Sequence, residues 1–110
     1  MNVHQAVVTF TNGTAVALST LFSAYDKCAK LLVEPDVANA NVCYVGDASL
    51  ALGTSTVNHV IKVIAKPTAA DAELDSFELE DSGGNNSIVT SEYKFDGTTN
   101  QKARVTIWVN

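Results

Sequence analysis

Positive charge is scarce in this chain. Seven basic residues stand against twelve acidic ones, for a formal net charge of −5, and the only arginine is Arg104. Neutralising phosphates needs clustered Lys and Arg side chains, so this balance argues against nucleic acid as a direct ligand. Long apolar runs are also missing. No stretch approaches the roughly 18 apolar residues of a membrane-crossing helix, and 1–10 has no basic start followed by an apolar run, so no signal peptide is expected there. Charge of either sign is low, at 17% of residues, against about 25% in an ordinary soluble domain.

Cysteine is rare too, with only Cys28 and Cys43. If 27–34 and 42–45 form a hairpin across the polar loop 35–41, residue 43 sits opposite about residue 33. Cys28 then lies roughly 16 Å away along the strand at about 3.3 Å per residue, too far for a disulfide. Two free, buried thiols are expected.

Valine and threonine are abundant, whereas Leu, Glu and Lys are not, which is the composition of pleated surface rather than of helix. At 110 residues the chain has room for one domain, 1–110, with a modest core that buries roughly 60 to 70% of the unfolded surface. An uncharged surface rich in Asn, Thr and Ser suits a protein packed against others, and equally an extracellular adhesin.

Two-residue alternation runs through most of the sequence. Over 3–10, Val3, Gln5, Val7 and Thr9 share one side and His4, Ala6, Val8 and Phe10 the other. Asn12-Gly13 predicts a tight turn into 14–18, an opening hairpin. Residues 19–26 read as a single helical turn capped by Ser19, or as an irregular crossing. In 27–34, Ala29, Leu31 and Val33 alternate with Lys30 and Glu34 until Pro35 ends the pattern. Residues 48–56 read as loop, and 57–65 as a strand apolar on both sides and so covered on both faces. Asp71, Glu73, Asp75, Glu78, Glu80 and Asp81 make an acidic stretch, interrupted by Leu74, Phe77 and Leu79, that predicts a strand with a solvated acidic face. Strands 88–95 and 103–109 close the chain as the clearest hairpin. The sum is an all-β fold: a small antiparallel sandwich or barrel-like domain of about seven to nine short strands.

Residues able to carry chemistry are isolated. His4 and His59 fall on separate strands without a neighbour at zinc spacing, and a zinc site would have to gather them with Cys28 and Cys43 from four strands. Neither cysteine belongs to a nucleophile motif. The acidic stretch lacks the glycine and closing glutamate of a calcium loop, and no cleft is implied for a glycosidase pair. No cofactor, no metal and no catalytic activity are expected. The candidate contact residues are Trp108, Tyr44, Tyr93, Asp71, Glu73 and Asp75. Trp108 points away from the face of Val105 and Ile107, so it is either exposed as an interface anchor or covered by another layer.

The stretch AKLLVEPDVANANVCYVGDASLA carries Pro35, Asn39 or Asn41, Val42, Tyr44, Val45 and Gly46 in an order that resembles small structural proteins of tailed bacteriophages. In LDSFELEDSGGNNSIVTSEYKFDGTTNQKARVTIWV the matching positions are Phe77, Leu79, Ile88, Tyr93, Gly97 and Val105. The likeness covers about two thirds of the chain and breaks between Gly46 and Leu74, where the spacer is long and the usual Pro-Gly turn is missing. It implies a capsid decoration or cement protein on the virion surface, made in the host cytoplasm. Its implied partners are the major capsid protein and further copies of itself, as in trimers or at capsid symmetry axes, with a fibre or tail protein as another. A carbohydrate- or receptor-binding module of a head fibre or tail is the alternative.

Overall fold

A computed structural model describes residues 1–52, 57–68 and 74–110. The described residues form β1 (Asn2–Thr9), β2 (Val16–Ala17), a one-turn helix α1 (Leu18–Leu21), β3 (Lys27–Cys28), β4 (Lys30–Pro35), β5 (Cys43–Leu52), β6 (Val57–Ile64), β7 (Phe77–Glu80), β8 (Ile88–Val89), a 3-10 turn (Thr90–Glu92), β9 (Lys94–Gly97) and β10 (Lys102–Val109). One sheet has the order β1-β10-β4-β7 and a second β2-β9-β5-β6, while β3 and β8 make a short ribbon. Every pairing is antiparallel. The chain is therefore a small all-β sandwich. It has more strands than the sequence implied because β2, β3 and β8 are only two residues long.

Alternation explains the core. Val8, Leu31, Val33, Ala103, Val105 and Ile107 point inward from the first sheet and meet Cys43, Val45, Ile64 and Phe95 from the second, in one buried cluster. Cys28 and Ile88, paired across the ribbon, belong to the same cluster. Each fully buried aliphatic or aromatic side chain contributes about 1.5–3 kcal/mol, a large share of the roughly 5–15 kcal/mol by which such domains are stable. The second sheet leaves Gly97 only enough room for a hydrogen: a Cβ there would lie 2.7 Å from the Phe10 ring.

All three expected hairpins are instead crossings between sheets. β1 and β2 are joined by the expected turn, in which the Thr14 N–H donates to the Thr11 carbonyl at 2.9 Å, but β2 pairs with β9 in the opposite sheet. β4 pairs with β10 and β7, whereas β5 pairs with β6 and β9. β9 and β10 likewise lie in different sheets. Alternation reports which side of a strand is buried and is silent about its neighbour. Asn39 secures one crossing: its side chain donates to the Lys102 carbonyl (2.7 Å) and accepts from the Lys102 N–H (3.1 Å), mimicking a strand pair.

Four local readings also change. Residue 17, not Ser19, caps α1, and without a side-chain bond. β5 continues through 48–52 where a loop was expected, because β6 pairs with it on both sides of an irregularity at Gly46. β6 is not covered on both faces; it is an edge strand with Val57, Ile61 and Val63 exposed. The expected strand 88–95 is broken by the 3-10 turn, where the fully buried Thr90 hydroxyl donates to the carbonyls of Tyr25 (2.8 Å) and Asp26 (3.0 Å). Cys28 and Cys43 are free and buried, although the hairpin used to reckon their separation does not exist.

Candidate functional site

Register places the outer face of the first sheet in rows. Val3 lies opposite Trp108, Trp108 opposite Lys30, and Lys30 opposite Glu80. The next row runs Gln5, Thr106, Leu32, Glu78, and the third Val7, Arg104, Glu34. The face is graded as a result: uncharged along β1, mixed in the middle, acidic at β7. Val3 and Val7 are 53% and 61% exposed, Leu32 and Trp108 are half-buried, and Val37 and Leu74 line a shallow concavity with Val7 and Arg104.

Trp108 settles between the two alternatives offered by its position, since it lies half-buried on the outer face with its ring partly covered by a neighbouring side chain. The Lys30 ammonium is 4.8 Å from the ring centroid and 3.0 Å from Glu78 Oε1. Hydrogen bonding to Glu78, reinforced by the charges of Glu78 and Glu80 and opposed by desolvation, holds the Lys30 pKa above its usual value. One strand pair along, Arg104 contacts Glu34 at 3.1 Å. Beneath them Thr106 is almost fully buried and accepts a hydrogen bond from the Gln5 amide at 3.2 Å. Lys30, held between the Trp108 ring and Glu78, has less rotamer freedom left to lose when a partner covers Trp108.

The other expected contact residues are dispersed. Tyr44 is on the outer face of the second sheet, opposite Val63 and Asp96. It lines a concavity of about 380 Å³ with Asn12, Asn41, Val42, Leu52, Lys66 and Thr98. Tyr93 packs against the core, and burial, then Glu92 and Cys28, raise its pKa. Asp75 holds β6 in place: it accepts from the Ala65 N–H at 2.9 Å and pairs with Lys62 at 3.3 Å. Asp71 and Glu73 lie outside the described residues.

Burial pushes both Cys28 and Cys43 up to about 11, so each thiol stays protonated at neutral pH and is a poor nucleophile. His4 stacks against Tyr25 with centroids 4.6 Å apart, and exposed His59 lies 3.0 Å from Asp47. No group of three or more His, Cys, Asp or Glu side chains converges among the described residues.

No family model, curated protein or solved structure matches the chain. The site therefore rests on its own geometry. Sequence reasoning singled out Trp108 but missed Val3 opposite it and Leu32 and Val7 in the next rows of the same face. The signal was present in 3–9, where two valines occupy the register opposite the one that supplies Val8 and Phe10 to the core.

Proposed function

We propose that this chain is a non-enzymatic structural protein of a bacteriophage virion, bound to the capsid surface as a decoration or cement protein. The observation that carries the reading is the outer face of the first sheet, where half-buried Trp108 sits between Lys30 and the exposed Val3. A sheet face with one aromatic and a few aliphatic neighbours is suited to a broad, shape-complementary contact. The resemblance of the segments around Pro35–Gly46 and Phe77–Val105 to phage structural proteins supplies the setting. Many modest contacts repeated over a particle add up through copy number.

Purified protein mixed with intact capsids should cosediment at a fixed ratio, and Trp108→Ala should weaken binding by about 2 kcal/mol, the scale of an aromatic hot spot. Failure to bind capsids at every maturation stage would overturn the reading.

The concavity beside Tyr44 favours a second reading, a carbohydrate-binding module of a fibre or tail. An aromatic ring flanked by Asn12 and Asn41 offers a sugar both a stacking face and hydrogen bonds. Glycan-array binding that disappears in Tyr44→Ala and persists in Trp108→Ala would select this alternative.

A further inference from the structure

We infer that two copies of this chain join through β1, edge to edge and antiparallel about a two-fold axis at Gln5, merging their first sheets into one continuous sheet. Backbone bonding directs the inference to this edge. The Phe10 N–H donates to the Gln101 carbonyl at 2.8 Å, and in an antiparallel ladder such pairs recur every second residue. By the register of β1 with β10, His4, Ala6 and Val8 therefore spend their backbone groups on β10. On the far side of β10, the Asp36 N–H reaches the Lys102 carbonyl and the Ala29 N–H the Trp108 carbonyl, so even positions of β10 serve β4 and odd ones serve β1. The N–H and C=O groups of Val3, Gln5 and Val7 are left pointing outward from the edge.

The remaining edges of the two main sheets are protected in the ways natural sheets usually are. β7 is four residues long and carries Glu78 and Glu80. β2 has two residues. β6 is kinked by register shifts at Gly46, contains His59 at φ 62, and has its end tied by Asp75 to Ala65 and Lys62. β1 is eight residues long with regular register and contains no proline, Lys, Asp or Glu.

Charge and symmetry select a second copy as the occupant. Each chain carries −5, with carboxylates at the β7 edge and beside β6, so two copies approach with least repulsion along uncharged β1. A two-fold axis at Gln5 sets Val3 against Val7 of the second copy and the Gln5 amide against its equivalent. Shifting the pairing by two residues would oppose valine to glutamine or threonine. The self-matched register forms about six interchain backbone hydrogen bonds, and an isologous contact of this kind closes as a dimer, not the trimer that the phage resemblance implies. It also sets two Trp108 faces side by side on one eight-stranded sheet, where binding by one strengthens binding by the other.

The test uses purified protein without capsids, so its result does not depend on the capsid reading. Sedimentation equilibrium should give a dimer mass at high concentration. Val7→Lys should raise the dimer Kd at least about tenfold by replacing the Val3–Val7 contact with a charged side chain on the edge strand, the way protected edges discourage pairing. Gln5→Pro removes an outward N–H that β10 does not use, and should likewise give a folded monomer by circular dichroism. Gln5→Cys should form an interchain disulfide under oxidation, which Val63→Cys on β6 should not. A wild-type monomer at all concentrations, a trimer, or a dimer that crosslinks through residue 63 and not residue 5 would each overturn the inference.

Discussion

Lys30 is shared between two partners on the outer face: its ammonium lies over the Trp108 ring at 4.8 Å and against Glu78 at 3.0 Å. Trp108 is the one tryptophan of the chain, so its fluorescence reports this face alone. In the free protein it should be quenched by acrylamide to an intermediate degree, as a half-buried indole is. On capsid binding the emission should shift to the blue and quenching should fall. Saturated binding with an unchanged spectrum would remove the Trp108 face from the contact while leaving capsid association intact.

Strand content and burial were legible in the sequence because both depend on local periodicity. Leu31, Val33, Val105 and Ile107 were assigned inward from alternation alone, and inward they point. Strand partnership was not legible, because 94–97 and 102–109 alternate in the same way whether they form a hairpin or cross between sheets. What separates the cases is loop chemistry, such as the Asn39 clamp on Lys102, which no periodicity encodes. The site was half legible: Trp108 stood out as an aromatic in the outward register, whereas Val3 and Val7 looked like ordinary strand residues.

Thr90 marks where the sequence was misread as continuous strand, and it yields a test of its own. Its buried hydroxyl bonds the carbonyls of Tyr25 and Asp26, and its N–H donates to Asp26 at 2.9 Å. Thr90→Val keeps the shape but strands the Tyr25 carbonyl, while the backbone N–H of residue 90 still serves the Asp26 carbonyl. Urea unfolding should show a loss of about 1–3 kcal/mol. A loss below about 0.5 kcal/mol would mean that the Tyr25 carbonyl finds another donor.

Gly97 and Phe10 make a complementary pair. Gly97→Ala places a Cβ at 2.7 Å from the ring, and Phe10 is a fully buried member of the core with little room to retreat. The cost should be about 1–3 kcal/mol from overpacking. Phe10→Leu, destabilising by itself, should recover part of that cost when combined with Gly97→Ala. Simple additivity in the double-mutant cycle would show that the two sites do not share the strain.

Acid should unfold the protein through specific carboxylates. Asp47 is held below its ordinary value of 3.8 first by the Ser49 N–H and then by His59. Asp75 is held down chiefly by the Ala65 N–H, with Lys62 adding to it, and Asp81 by the Ser87 hydroxyl and the Gly83 N–H. A carboxyl with a lowered folded pKa adds stability that is fully present above its unfolded value and disappears as pH falls through its folded one. The melting temperature should therefore decline as pH drops below the ordinary carboxylate range, about 4. Asp75→Asn should melt lower than wild type at neutral pH and converge on it in acid, where the wild-type carboxyl is already protonated. Asp96 runs the opposite way. Buried beside the Gly13 and Gly97 N–H groups, which only partly offset its desolvation, it has a raised pKa, so its ionisation costs stability as pH climbs past its ordinary value. Asp96→Asn loses one acceptor at every pH, yet should gain on wild type as pH climbs from the ordinary carboxyl value through the raised one. Melting curves of the two variants that tilt in the same direction against wild type would contradict this assignment of signs.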